Sequence, residues 1–205
     1  EEILERLEQH RRNGHTITGD IYPYTASCTT IGLLFPGWAK TREEFDAALP
    51  KRREEMRAHL REIVEKRNGP EATLLGTAPW TGKTLKEAAD EAGKSFEDFL
   101  IDDVGPDGAD AAYFVMDEEL QLRLMQDPHV VISSDGNPEW HHPRGYGSFA
   151  KVIEEYALKR QLFSLEEAIH KMTGLSAKSL GLKDRGTIEE GKAADLLLFD
   201  PEKVH

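Results

Sequence analysis

Cysteine is nearly missing from this chain: Cys28 is the only one in 205 residues. That excludes an intrachain disulfide and any zinc cluster built on several thiolates. Long apolar runs are missing as well. The run Ile31-Gly32-Leu33-Leu34-Phe35 is ended by Pro36-Gly37, far short of the roughly 20 residues a spanning helix needs. Positive charge is in deficit, with 26 Lys and Arg against 38 Asp and Glu, a net charge of −12. Such a surface repels phosphate backbones and anionic lipid, which argues against nucleic acid and membrane as partners. No basic and apolar leader opens the chain; Glu1-Glu2-Ile3-Leu4-Glu5-Arg6 is acidic and helical in pattern. Hydrophobic residues make up 39% and charged residues 31%, enough for a core and for solubility. The expectation is a reduced, cytoplasmic, acidic globular protein.

Apolar spacing and turn residues divide the chain into alternating strands and helices. A helix is expected from the first residue to Asn13-Gly14, whose glycine ends it. It starts in mid-pattern without an N-cap, which suggests a piece of something longer. Residues 15–22, 72–78 and 129–134 read as strands, rich in β-branched and apolar residues. Thr41-Arg-Glu-Glu44, Thr84-Leu-Lys-Glu87 and Ser164-Leu-Glu-Glu167 are capping boxes, and Ser95-Phe-Glu-Asp98 starts a further helix. Pro50 separates a helix ending near Leu49 from one running to Asn68-Gly69. Residues 25–40 and 137–147 are expected to be loops, and 113–116 a short strand. Helices are expected over 118–126 and 149–161. On the helix begun by Ser164, residues Leu165, Ile169 and Met172 are expected to face inward. The stretch 194–199 reads as a buried strand. Strands alternating with helices indicate an α/β protein with a parallel sheet, but three strands neither close a barrel nor cover two helix layers.

Working residues of parallel α/β folds lie just past the carboxyl ends of strands. Asp135 follows the strongest strand directly and could bind a metal or act as a general acid or base; as a lone strand-end Asp before Gly136 it could equally cap a turn. Downstream, residues 137–147 carry Trp140, His141, His142, Arg144 and Tyr146. Adjacent histidines on extended backbone point apart, so both rarely bind one metal. The planar Arg144 guanidinium is suited to a two-bond clamp on a carboxylate, and equally to a structural ion pair. Tyr22 and Tyr24 end the first strand and could line a pocket or simply pack against residues 25–38.

Taken together, Asp20-Ile-Tyr-Pro-Tyr-Thr-Ala-Ser27, Ser134-Asp-Gly136, His142-Pro-Arg-Gly-Tyr-Gly-Ser-Phe149 and the stretch from Gly181 to Leu196 resemble the N-acyl-D-amino-acid deacylases, or D-aminoacylases. These belong to the amidohydrolase superfamily. The resemblance implies the C-terminal part of a (β/α)8 TIM-type barrel, with residues 15–22, 72–78 and 129–134 as barrel strands 6, 7 and 8. Residues 1–180 would belong to the barrel and 181–205 to a small β-sandwich, entered by a return strand at 194–199. It implies hydrolysis of the amide bond of a small-molecule N-acyl-D-amino acid by a zinc enzyme. Asp135 would be the general base and a metal residue, and Arg144 the receiver of the substrate carboxylate; Tyr22 and Tyr24, lining the pocket, are expected to bind substrate with it. Leu33, Phe35 and Trp38 would wall the acyl group.

The departures from the family pattern are equally informative. The family's HxH pair, a ligand before the fourth strand and a histidine on the fifth would all precede residue 1. A histidine on strand 6 of some members has Tyr22 at its place here, and Cys28 lies too far along to replace it. The expectation is therefore a fragment that retains no zinc and is inactive alone. It would associate with the missing N-terminal part or with its own copies as a homo-oligomer, through an open strand edge. The rival readings are an amidohydrolase acting on a cyclic amide, like a hydantoinase or dihydroorotase, and a non-catalytic α/β module.

Overall fold

Serine and threonine side chains start helices at each of the four places where the local sequence calls for it. A computed structural model describes residues 2–137 and 142–204. In it α1 spans Glu2–Arg12, α2 Arg42–Lys66, α3 Leu85–Glu91, α4 Phe96–Phe99, α5 Glu118–Gln126, α6 Arg144–Lys151, α7 Leu165–Met172 and α8 Gly174–Ser179. The Thr41 and Thr84 boxes close reciprocally with Glu44 and Glu87. The hydroxyls of Ser95 and Ser164 accept from the amides of Asp98 and Glu167. Each satisfies a backbone donor that the first helical turn leaves open.

Five short strands form two sheets: β1 Gly19–Ile21, β2 Ser27–Thr30, β3 Thr73–Leu75, β4 Asp110–Tyr113 and β5 Val130–Ile132. β1 and β5 pair in parallel, with Gly19 opposite Val130 and Ile21 opposite Ile132. The ladder continues as the Ser133 amide donates to the Ile21 carbonyl at 3.0 Å. β2, β4 and β3 form a separate antiparallel sheet in that order.

The chain divides into two compact units. The first comprises residues 1–24, 118–136 and 143–205, and the second residues 25–117 and 137–142. The first is built on the parallel pair. Ile21, Val130 and Ile132 pack there with Met125 of α5, with Ala168 of α7, and with Val152 and Tyr156 of a π-helical stretch, Val152–Lys159, that follows α6. The second has its own core, in which Phe45, Met56, Leu60 and Val64 of α2 pack with Leu75, Phe99 and Tyr113.

Several expectations are corrected here. Residues 73–75 are not a strand of the parallel sheet, because β1 and β5 are direct neighbours and β3 joins the antiparallel sheet. Part of the expected loop 25–40 is β2, completing that sheet. The break expected at Pro50 is present: the span of α2 is two helices joined across a kink, with non-helical dihedrals at Arg52 (φ −128°, ψ 21°), since proline lacks a backbone donor and its ring clashes with the preceding turn. On α7 the most buried side chains are Ala168 and Lys171, with Leu165, Ile169 and Met172 half-buried. Lys171 is only 1% exposed, and its ammonium donates to the carbonyls of Asp127 at 2.6 Å and Val130 at 3.2 Å. Residues 194–199 form no strand. Leu196, Leu197 and Leu198 are 68%, 83% and 100% exposed, since no ladder partner for them exists among the described residues.

Candidate functional site

Asp135 stands three residues beyond β5 with a φ of +45°. A β-carbon makes that left-handed backbone uncommon, though aspartate and asparagine tolerate it better than most. The turn is tightened where the Gly136 amide donates to the Ser134 hydroxyl at 3.2 Å. Gly136 lies against Gly145, so that a β-carbon on it would come within 2.7 Å of the Gly145 Cα. The strand-end turn therefore rests on the first turn of α6.

That first turn carries Arg144. The sequence places this residue in a loop; in the structure it opens α6, after Pro143. The Gly147 amide donates to the Pro143 carbonyl at 2.8 Å, and the Ser148 hydroxyl to the Arg144 carbonyl at 2.7 Å. The Arg144 side chain is only 4% exposed, whereas that of Asp135 is 63% exposed, and Nη2 lies 2.9 Å from Oδ2. The guanidinium carbon is 4.8 Å from the centroid of the Tyr22 ring. Asp135 and Tyr22 thus follow the carboxyl ends of two neighbouring parallel strands, and Arg144 bridges to both.

Tyr24 completes the cluster. Its hydroxyl donates to the Pro143 carbonyl at 3.4 Å, and its ring lies 4.2 Å from the Lys151 ammonium. Burial pushes the Tyr24 hydroxyl above the ordinary phenol range and the Lys151 ammonium below the ordinary lysine range. All four residues singled out from the sequence, Asp135, Arg144, Tyr22 and Tyr24, belong to the first unit.

Other candidates lie elsewhere. His142 is buried, with Nε2 3.1 Å from the Ala26 carbonyl, a backbone tie within the second unit. Trp140 and His141 fall outside the described residues. Cys28 sits in β2 opposite Ala112. Of the residues expected to wall the acyl group, Leu33 is 44% exposed. Phe35 is a core residue, edge-on to Phe45 at 5.6 Å, and the Trp38 ring is covered by the Arg52 guanidinium at 3.6 Å. A cleft of about 520 Å³ lined by Arg11, His15, His129, His170 and Lys178 opens at the amino ends of β1 and β5, the end away from Asp135.

Chemically the cluster offers one carboxylate, one buried guanidinium and two phenols. Among the described residues no three His, Cys, Asp or Glu side chains converge on one point. A catalytic zinc ordinarily takes three protein ligands and a water. Asp135 alone does not satisfy it, so the described residues do not by themselves fit the ion.

Asp135 follows a parallel strand, and the buried guanidinium of Arg144 opens the next helix. The comparisons define the class further: residues 52–205 match the model of the amidohydrolase family, to which the chain belongs. Within that family it is similar to the D-aminoacylase of Alcaligenes xylosoxydans xylosoxydans, 44% identical over 126 residues covering 60% of this chain and 25% of that protein. It is also similar to the N-acyl-D-aspartate deacylase of the same organism, 41% identical over 126 residues with the same coverage. Among solved structures, the N-acyl-D-glutamate deacylase from Bordetella bronchiseptica, complexed with zinc and a phosphonate inhibitor, superposes with a TM-score of 0.72 at 28% identity, covering 98% of this chain and 36% of that one. The chain spans about a quarter of the length of the curated relatives it matches. The resemblance read from the motifs is borne out. Among the described residues no helix is long and apolar enough to cross a membrane.

Proposed function

We propose that the chain supplies the base and the substrate clamp of a metal-dependent hydrolase that cleaves the amide bond of N-acyl-D-amino acids, releasing the D-amino acid and a carboxylate. The observation that carries this reading is the meeting of Asp135, Arg144 and Tyr22 at the carboxyl ends of β1 and β5, in a chain similar to three kinds of N-acyl-D-amino-acid deacylase. Asp135 takes the proton of the attacking water and passes it to the leaving amine nitrogen. Arg144 holds the α-carboxylate and sets the register of the amide against Asp135. Tyr22 stacks on the guanidinium and keeps its fork in place. Tyr24 stands beside the clamp, bonded to the Pro143 carbonyl.

In this reading zinc supplies Lewis acidity, Asp135 is this chain's contribution to its ligands, and the other donors lie outside the described residues. The chain alone is then inactive and holds no stoichiometric zinc. The barrel assignment changes with the topology. Because β1 and β5 are neighbours, they become the seventh and eighth strands, and residues 25–117 become an inserted unit between them. Residues 181–205 belong to the sandwich, where 194–199 would find its ladder partners.

The test is Asp135→Asn in the full-length enzyme, assayed on N-acyl-D-amino acids and on a hydantoin. We expect kcat on the acyl amino acids to fall by roughly 10²–10⁴, the usual worth of a positioned general base, with substrate binding kept. A near-normal kcat, or preferred turnover of the cyclic amide, refutes the reading.

A further inference from the structure

We propose that the cleft at the amino ends of β1 and β5 binds a small dianion, a molecule carrying two oxyanion charges such as a phosphate monoester or a dicarboxylate. The cleft lies wholly within the first unit, at the opposite ends of the two strands from Asp135. It needs nothing from the hydrolase reading and stands or falls without it.

The lining carries the argument. The volume, about 520 Å³, is that of a small-molecule pocket. Arg11, His15, His129, His170 and Lys178 line it, and among the described residues no aspartate or glutamate does. That reverses the balance of the whole chain, in which 38 acids face 26 bases. A concave surface lined by one sign of charge focuses its field and concentrates ions of the other sign. An imidazole donates one N–H when neutral and two when charged, so each histidine offers a donor in either state. The Thr16 and Ser179 hydroxyls add two more.

Local structure delivers these side chains from separate elements. Gly14 turns the chain after α1, and the His15 amide donates back to the His10 carbonyl at 3.1 Å. His129 is set at the entry to β5 by its amide, which donates to Asp127 Oδ1 at 2.8 Å. His170 lies in the last turn of α7 and Lys178 in the last turn of α8. The Asp127 carboxylate is itself taken up by Arg11, with Nη1 2.7 Å from Oδ2. A metal ion is not the fitting guest, because among the described residues no three ligating side chains converge. Donors spread around a cleft suit a ligand that spreads its charge over several oxygens.

The experiment is calorimetric titration of the full-length enzyme, at fixed ionic strength, with glycerol 3-phosphate and separately with succinate. Neither is a strong chelator, so a bound metal stays in place. At least one should bind with a Kd of about 1 mM or tighter; the arm that binds names the phosphate ester or the dicarboxylate. Lys178→Gln, and separately His129→Asn/His170→Asn, should each weaken binding about tenfold, the worth of one hydrogen bond to a charged group. All three side chains are exposed, and a melting temperature equal to the parent's checks that the variants fold. Arg144→Lys should leave this binding unchanged. Binding of neither probe up to about 10 mM, or an affinity that both sets of cleft variants leave unmoved, overturns the inference. Loss of binding in Arg144→Lys overturns it too, by putting the dianion at the other end of the strands.

Discussion

Removing the Arg11 guanidinium should loosen the attachment of α1 to the parallel sheet. No described side chain of α1 is fully buried; Leu4, Leu7 and Arg11 are half-buried, so the anchoring is largely polar. Arg11 Nη1 lies 2.7 Å from Asp127 Oδ2, and Nε donates to the Ile17 carbonyl at 3.1 Å. The two side chains are only 11% and 19% exposed. Asp127 accepts in addition from the His129 amide at 2.8 Å, at the entry to β5. Removing one partner of a fully buried pair costs about 3–5 kcal/mol. The residual exposure and the retained His129 bond bring the expectation for Arg11→Met to about 2–3 kcal/mol.

In the double variant Arg11→Met/Asp127→Asn no stranded charge remains, and part of that loss should return. The acid limb gives an independent check. Burial pushes the Asp127 carboxyl up, but the Arg11 bond and the His129 amide outweigh it and hold the group below the ordinary carboxylate range. Its contribution is present above the unfolded value of about 3.9 and is lost as pH falls through the lower folded value. The difference between parent and Arg11→Met should therefore shrink as the pH drops below about 4. Hydrogen exchange at the β5 amides measures it within the first unit. A difference under about 0.5 kcal/mol at pH 7, the level of an ordinary surface substitution, or one that grows in acid, refutes the reasoning.

Three further outcomes are expected. Gly136→Ala puts a β-carbon 2.7 Å from the Gly145 Cα; it should cost about 1–3 kcal/mol, measured by urea denaturation. Thr41→Ala removes one side of the reciprocal cap on α2 and should cost about 1 kcal/mol by urea denaturation, while Thr41→Ser recovers most of it. Arg144→Lys in the full-length enzyme replaces a fork by a point charge; kcat/KM for free acids should drop well beyond that for esters, and equal losses would mark Arg144 as structural.

Much of this protein was determined locally. Thr41, Thr84, Ser95 and Ser164 start their helices because a side-chain oxygen three residues from an open amide needs no help from elsewhere. α5 and the core of β5 fall where the apolar pattern puts them, and so does Asp135 beyond the strand. Tertiary structure decided the rest. A short apolar run such as Thr73–Leu75 carries no mark of whether its neighbour will be parallel or antiparallel, because that depends on residues far away in the chain. Lys171 reads as a surface lysine on an amphipathic helix until Asp127 and Val130 supply carbonyls for its ammonium. The exposed leucines at 196–198 show the converse: apolar composition specifies a preference for burial, and only a partner provides it. At the site, the motifs name Asp135 and Arg144 as separate tools. That they are one ion pair follows from the contact of Gly136 with Gly145, which sets the turn after β5 on the first turn of α6. Spacing along a chain cannot specify a distance that two elements create only by packing together.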